Sequence, residues 1–475
     1  MKRFQFFLLF SCVVLFSSGL RAQLITGPDT LCIDKQLQLH TTVTNASTYY
    51  WGFCSAYLNH LPTGSSIAAG TGLATPSAIT MAKDSSNYFV FVANASVPGT
   101  LVRYEFGTNL ANVPVATDLG NFAGSLPYSP KGFELVQAGG NWYGFITGGN
   151  GVGSDMIRLD FGSSLSNTPV LTDLGALVQD PQDLYFFYEG GRWYAYTNNG
   201  VTGNLMLIEF GSSITGTATV YDKGNPGSLA LPCGMWPVYD GSNWHIFLVN
   251  KTTQRLSRLD FGSSLLNAPV DNDLGNPGGL LSQPCDISII RDCGSYYGYI
   301  TNESSNSLTL LTFSGAITNA PVTTDLGNFA GFNQPRYLTR FLRDRDNVFA
   351  YTTNFGSNSI SRLEYNSCSA SSPSMATTKV PPPVTYNAPG LYNVYFAADE
   401  GLPTMQVDCK QVQVIPRPII EVNNDTLICQ GDTILLVANG PNLYSNIWDP
   451  VYRAKAPYDT TSVYVFPDED YRYHV

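Results

Sequence analysis

The feature that most constrains this chain is a unit of about fifty residues that recurs along most of its length. An aromatic residue marks each unit, at intervals of 55, 49, 51, 52 and 52 residues. The marking residues are Phe106, Phe161, Phe210, Phe261, Phe313 and Tyr365. A proline keeps the same register, at Pro76, Pro130, Pro181, Pro232, Pro284 and Pro335. Because two markers share one period, the sequence predicts a true structural repeat.

Each unit shows the pattern of four short strands. In the third unit, a strand from Asp183 to Phe187 is followed by a Gly-Gly turn and an aromatic stretch from Trp193 to Asn199. Four strands at this period are typical of one blade of a β-propeller, so six units predict six blades. The last unit lacks its fourth strand, but residues 59–67 resemble that strand. We therefore expect the N-terminal segment to complete the last blade and close the ring.

The segments that flank the repeat match each other. Asp29-Thr-Leu-Cys32 returns near the end of the chain as Asp425-Thr-Leu-Ile-Cys429. The first copy lacks its second half, which follows the repeat at residues 389–414. We predict a β-sandwich interrupted by a large insertion and followed by a second sandwich, an arrangement that domains tolerate when the inserted ends lie close together. One further strand of that second sandwich is expected beyond residue 475.

These predictions divide the chain into five parts. They are a signal peptide at 1–22, the first part of the sandwich at 23–54, the propeller at 55–367, the second part of the sandwich at 368–417, and the second module at 418–475. Lys2 and Arg3 before an apolar run that ends at Phe16 are typical of a secretory signal. The run is too short for a membrane span, so we expect no membrane insertion of the mature chain.

The flanking segments resemble a known family. The Asp-Thr-Leu-Cys opening, the Tyr-x-Trp strand at Tyr49 to Trp51 and the Pro-Gly-Leu-Tyr-Asn-Val segment from Pro389 are similar to the polycystic-kidney-disease (PKD) type of Ig-like repeat. Such repeats occur in surface proteins of the bacterial gliding-motility and type IX secretion group. The resemblance implies export across the outer membrane of a Gram-negative bacterium and display or release at the cell surface.

Charge and cysteine content restrict the partners and the compartment. The formal net charge is -11, which argues against nucleic acid, whose phosphates require clustered cations. Of nine cysteines, eight follow the predicted signal, and an even number in an exported chain indicates disulfides. The candidate pairs are Cys54 with Cys368, Cys32 with Cys409, and Cys233 with Cys285, with Cys285 to Cys293 as the alternative to the last.

Candidate ligand-binding residues lie where the units differ. Asp183 and Asp286 stand two residues after the proline of their units, where inner strands surround one opening of the channel. Tyr337 holds the same position in the sixth unit. Two carboxylates there could act as acid and base on a glycan or hold a cation. The interpretation we favour is that each bonds nearby backbone amides. Two other recurrent residues are predicted to maintain the blade. One is the Asp of the Asp-Leu-Gly segment, and the other is the Arg that stands two residues before an acid on the third strand.

The loops between units are the second candidate surface. Asn121 and Phe122 in one loop correspond to Asn328 and Phe329 in another, and exposed rings with amides suit sugar or peptide recognition. Ordinary turn chemistry is the alternative. The four histidines share no motif, so a zinc site or a catalytic triad is not expected, and we expect no cofactor.

The leading functional expectation is a non-catalytic surface protein, an adhesin or a recognition module for an extracellular glycan or protein. The first alternative is an enzyme that acts on polysaccharide at the mouth of the propeller channel. The second alternative is a structural stalk.

Overall fold

The computed structural model describes residues 23–67, 72–96, 99–149, 155–227, 229–399, 406–417, 419–440 and 447–475. The predicted signal peptide lies outside these residues. Within them the chain is all-β, without α-helix, and its helical turns are Phe122–Gly124 and Pro277–Gly279. No helix in this part of the chain has the length and apolar character needed to cross a membrane.

Six antiparallel sheets correspond to the six sequence units, and the first strand of each sheet begins at the proline of its unit. Sheet 1 contains Pro76–Asp84, Asn87–Asn94, Leu101–Gly107 and Val115–Gly120. Sheet 2 contains Pro130–Ala138, Asn141–Gly148, Asp155–Gly162 and Val170–Asp173. Sheet 3 contains Pro181–Glu189, Arg192–Asn199, Leu205–Gly211 and Thr219–Asp222. Sheet 4 contains Pro232–Tyr239, Trp244–Asn250, Arg255–Gly262 and Val270–Gly275. Sheet 5 contains Pro284–Asp292, Ser295–Asn302, Ser307–Phe313 and Val322–Gly327. Sheet 6 contains Pro335–Leu338 with Leu342–Asp344, then Asn347–Asn354, Ser359–Tyr365 and Thr63–Ile67.

The sheets form a closed, β-propeller-like ring. The first strand of each sheet contacts the first strand of the next, and that of sheet 6 contacts that of sheet 1. The outer strand of sheet 6 is Thr63–Ile67, which pairs antiparallel with Ser359–Tyr365. The predicted closure by the N-terminal segment is therefore confirmed. The first strands together surround a central channel.

The core lies between neighbouring sheets and explains why the aromatic marker recurs. Phe161 of sheet 2 packs in one buried cluster with Phe91 of sheet 1, at a ring-centroid distance of 5.1 Å. Phe261 of sheet 4 does the same with Tyr196 of sheet 3, at 5.6 Å. A marker phenylalanine therefore packs two sheets together. Every blade needs this contact, so the recurrence of the residue reflects packing and does not indicate a ligand-binding site.

Replacing Phe261 with alanine is expected to lower the free energy of unfolding by about 3–5 kcal/mol, because a fully buried ring leaves a cavity between two sheets. The Phe261 side chain is 2% exposed, whereas Val270 at the outer strand is 66% exposed. Val270→Ala is the matched control and should change stability by less than about 0.5 kcal/mol. Chemical denaturation measures both, and equal effects of the two substitutions would contradict this account of the core.

Two other recurrent motifs have the structural roles that the sequence predicted. The carboxylate of Asp273 accepts a hydrogen bond from the backbone N–H of Gly275 at 2.8 Å, and the equivalent aspartates do likewise. Arg258 forms an ion pair with Asp260 at 2.8 Å and also donates to the carbonyl oxygen of Thr318 on sheet 5 at 3.0 Å. These side chains stabilise turns and junctions between sheets.

The segments on either side of the ring share one five-stranded sheet. Its order is Thr30–Cys32, Gln406–Ile415, Gly390–Ala398, Tyr49–Ser55 and Met375–Ala376. Two small pairs accompany it, Ile25–Thr26 with His40–Thr41 and Ser371–Ser372 with Thr385–Tyr386. The last sheet contains Glu421–Val422, Ile434–Asn439, Ser462–Val465 and Ala454–Lys455.

One disulfide joins the two borders of the ring, and another connects the ring to the five-stranded sheet. Cys54 is bridged to Cys368, as predicted, at the two borders of the ring. The second bridge joins Cys293 to Cys409, so the expected Cys32–Cys409 and Cys285–Cys293 pairs are wrong. The turn of sheet 5 that holds Cys293 lies against the strand that holds Cys409, which no local sequence pattern reveals. The predicted Cys233–Cys285 bridge is also absent, and both of these buried thiols are free.

Candidate functional site

The channel contains a cavity of about 220 Å³ that the inner strands enclose. It brings together Asp183, Asp286 and Tyr337, the three channel residues singled out from the sequence, on the first strands of sheets 3, 5 and 6. It also exposes Glu134 and Arg340, which sequence reasoning missed. Trp236 adds an aromatic wall from sheet 4.

Asp183 and Asp286 each connect two neighbouring inner strands. Asp183 accepts hydrogen bonds from the backbone N–H groups of Leu184 and of Met235, the latter on sheet 4, both at 2.8 Å. Asp286 repeats this geometry with Ile287 at 2.8 Å and with Leu338 on sheet 6 at 2.7 Å. Both carboxylates therefore have the backbone-bonding role that the sequence interpretation favoured. Each oxygen accepts one N–H and retains a second lone pair.

Glu134 has a different environment. It lies on the first strand of sheet 2, and its Oε1 accepts a hydrogen bond from the Arg340 guanidinium at 2.7 Å. Among the described residues no hydrogen bond reaches Oε2 of Glu134, and 17% of this side chain is exposed. One oxygen of Glu134 is therefore available to a molecule in the cavity.

The sequence concealed Glu134 because no other unit has an acid at its position. The residues four positions after the proline are Thr80, Glu134, Tyr185, Trp236, Ser288 and Thr339. Alignment of the inner strands on their prolines would have shown one carboxylate in this channel-facing row. Its partner Arg340 lies in the sixth unit, 206 residues away, so the pairing required the closed ring.

Burial dominates the electrostatics of the cavity. Desolvation raises the pKa of Asp183 to about 7, opposed by its two backbone N–H donors, and the nearby Glu134 raises this pKa further. Burial also raises the pKa of Asp286, to which the charge of Asp183 adds. Burial raises the pKa of Glu134, whereas Arg340 lowers it. Since like charges in a desolvated site disfavour one another, all three carboxyl groups hold their protons to higher pH than exposed carboxyl groups do.

A second cavity of about 160 Å³ lies where the inner strands begin. It shares Lys131 and Tyr337 with the first cavity and is otherwise polar. Lys131 forms an ion pair with Asp180, and Glu303 is paired with both Lys251 and Arg336. Cys233 and Cys285 also line this cavity, which we call the channel mouth.

The loop candidates serve the fold. The Asn328 side chain accepts from the backbone N–H of Phe332 at 2.6 Å and donates to its carbonyl oxygen at 2.9 Å. Phe329 and Phe122 pack against the buried clusters of their sheets, and the carbonyl oxygen of Asn121 accepts from Gly124 at 3.0 Å. As far as the structure describes them, these loops contribute no residue to either channel cavity.

No protein-family model and no curated protein matches this chain. Similar solved structures include the catalytic domain of the Coprinopsis cinerea GH62 alpha-L-arabinofuranosidase, which has 15% sequence identity to this chain. The match covers 50% of this chain and 92% of that chain, with a TM-score of 0.38. The Podospora anserina alpha-L-arabinofuranosidase shows 12% identity, with 50% and 91% covered and a TM-score of 0.37. A triple arginine-to-alanine mutant of AofleA from Arthrobotrys oligospora shows 9% identity, with 82% and 100% covered and a TM-score of 0.43.

The names of the similar structures do not agree with the leading functional expectation. Other similar structures are named as GH43 enzymes, in contrast to the expected non-catalytic binding protein. The expectations of an adhesin and of a chain without catalysis are therefore not retained. At these identities the likeness concerns the fold, and the chemistry below is argued only from the residues of this chain.

Proposed function

We propose that the ring is a six-bladed β-propeller at residues 55–367, inserted into a PKD/Ig-like sandwich formed by 23–54 and 368–417, with a second such module at 418–475. The support is one sheet shared by both flanking segments and a closed circle of six sheets. We propose that the chain is exported to the surface of a Gram-negative cell. Two disulfides support passage through an oxidising compartment.

We propose that the protein is a glycoside hydrolase that acts on an extracellular polysaccharide at the channel cavity. The observation that carries this proposal is the enclosure of Glu134 and Asp183 in one desolvated cavity, where burial raises the pKa of both. Hydrolysis of a glycosidic bond requires one carboxyl group that gives a proton and one carboxylate that activates water or attacks the sugar. Two carboxyl groups in different environments, Glu134 beside Arg340 and Asp183 between two backbone N–H donors, meet this requirement.

Glu134 is the residue with access to a substrate, since its Oε2 faces the cavity without a partner among the described residues. In this proposal it donates its proton to the leaving-group oxygen. The Arg340 guanidinium then stabilises the glutamate that the transfer leaves behind. Asp183 supplies the second carboxylate, because its two N–H donors fix its orientation and still leave a lone pair on each oxygen.

The size of the cavity points to the end of a glycan chain. About 220 Å³ is smaller than the roughly 300–1,000 Å³ of sites for drug-sized ligands. Trp236 on the cavity wall offers a ring face on which a sugar can stack. We therefore expect release of single sugars from chain ends.

The test is an assay of the full chain against a panel of plant and bacterial polysaccharides, with detection of new reducing ends and of the products by mass. Release of monosaccharide is expected, and its rate should fall in acid as Asp183, with a pKa of about 7, becomes protonated and can no longer serve as the second carboxylate. The absence of new reducing ends from every polysaccharide in the panel would overturn the proposal.

A further inference from the structure

The channel mouth contains a pair of thiols that the hydrolytic mechanism does not use. Cys233 and Cys285 each follow the proline of their unit, so they hold the same position on neighbouring inner strands. Both are buried, at 5% and 3% exposure, both line the cavity of about 160 Å³, and both are free. A small molecule that enters this cavity meets both sulfurs.

The two strands approach each other closely at this point. A Cβ atom added to Gly234 would lie 2.4 Å from the Cα of Asp286, so glycine is required for the backbones to come together. The residues that precede these two are Cys233 and Cys285. The two cysteines therefore stand on backbones that approach each other directly. Interaction with Cys285 lowers the pKa of Cys233, and the same interaction, together with burial, raises the pKa of Cys285.

Charged groups surround the pair in a way that assigns different roles to its members. Sγ of Cys285 lies 3.1 Å from Oε2 of Glu303, a carboxylate held by Lys251 and Arg336. The positive charge of Lys251 also favours the thiolate of Cys233. Cys233 is therefore the nucleophile, and Cys285, whose thiol donates to Glu303, remains protonated until the mixed disulfide has formed.

We propose that Cys233 and Cys285 form a redox-active dithiol, which a small-molecule disulfide converts to a third intrachain disulfide across the channel mouth. The thiolate of Cys233 attacks one sulfur of the reagent, forms a mixed disulfide and releases one reagent thiolate. Cys285 then gives its proton to the first released reagent thiolate, attacks the sulfur of Cys233 and displaces the second reagent thiolate. Two protein thiols are oxidised, one reagent disulfide is reduced, and the two protons end on the two released thiols.

The test uses the full chain with Cys32→Ser and Cys429→Ser, which removes the other free cysteines of the described residues. After incubation with bis(2-hydroxyethyl) disulfide, a reagent small enough for the cavity, intact mass should fall by two hydrogens, without a reagent adduct, and both thiols should become unreactive to a thiol reagent. A proteolytic digest should contain one peptide pair joined through Cys233 and Cys285. In the additional variant Cys233→Ser no loss of two hydrogens is expected.

Cys285→Ser distinguishes attack by a second thiol from simple entry of the reagent. The adduct on Cys233 should accumulate in this variant, because no second thiol is present to displace the reagent. Two results would overturn the proposal. One is a stable reagent adduct on both cysteines of the Cys32→Ser, Cys429→Ser chain, and the other is inertness of both thiols in the folded chain under conditions that oxidise them after unfolding.

Discussion

Replacing Glu134 with glutamine is expected to lower kcat/KM on the hydrolysed polysaccharide by about 10²–10⁴-fold. Glutamine keeps an oxygen that accepts from Arg340 and fills the same volume, but it has no proton to give to the leaving group. The loss should therefore appear in kcat, and the thermal stability should stay close to that of the unchanged protein. Initial rates of reducing-end release measure the effect.

Glu209 provides the matched control for this substitution. It also lies on a strand of the ring, pairs with an arginine, Arg192, and has a side chain 17% exposed, the same value as Glu134, but it lines neither cavity. Glu209→Gln should leave turnover within about twofold of the unchanged protein, as expected for a surface ion pair. Equal turnover of the two variants would remove Glu134 from the mechanism.

Stability of the ring should fall as the pH rises from about 4 through 7. Burial raises the pKa of Asp183 in the folded protein to about 7, above the 3.8 of an exposed aspartate, so folding favours its protonated form. The contribution is complete below the unfolded pKa and is lost as the pH passes the folded pKa. A difference of about three pH units corresponds to at most ~4 kcal/mol at 1.36 kcal/mol per unit. The raised pKa of Asp286 acts in the same direction.

Chemical denaturation at intervals between pH 4.5 and 8 tests this expectation. Asp183→Asn removes the titrating group and should flatten the profile, although asparagine retains one acceptor oxygen for its two N–H partners. Asp273→Asn is the control, because Arg255 lowers the pKa of Asp273 and its contribution changes only in more acidic solution. A stability of the unchanged protein that rises over this range would contradict the assignment.

The two expectations bear on one question, namely where protons reside in the channel cavity. The pH profile of stability reports Asp183 in the absence of substrate. The Glu134 variant reports the transfer of a proton during the reaction. The lower limb of the activity profile should fall near the pH at which stability changes, because both report the ionisation of Asp183.

Periodicity alone was enough to predict much of the architecture. The marker phenylalanines and the unit prolines recur at a fixed spacing because each blade needs the same contact with its neighbour, as Phe261 shows against Tyr196. The closing strand at Thr63–Ile67 and the Cys54–Cys368 bridge were predictable for the same reason, since both follow from the borders of the repeat. Local patterns also identified the turn role of Asp273 and the ion pair of Arg258.

The chemistry of the site required the closed ring. Glu134 and Arg340 are 206 residues apart and meet because the first strands of sheets 2 and 6 face one channel. Cys293 and Cys409 are 116 residues apart and bond because a turn of the ring contacts the adjoining sheet. A repeating sequence encodes what every blade shares, and it is therefore informative about packing. The proposed catalysis depends on residues that most blades lack, and their partners are determined by positions around the ring that no linear spacing records.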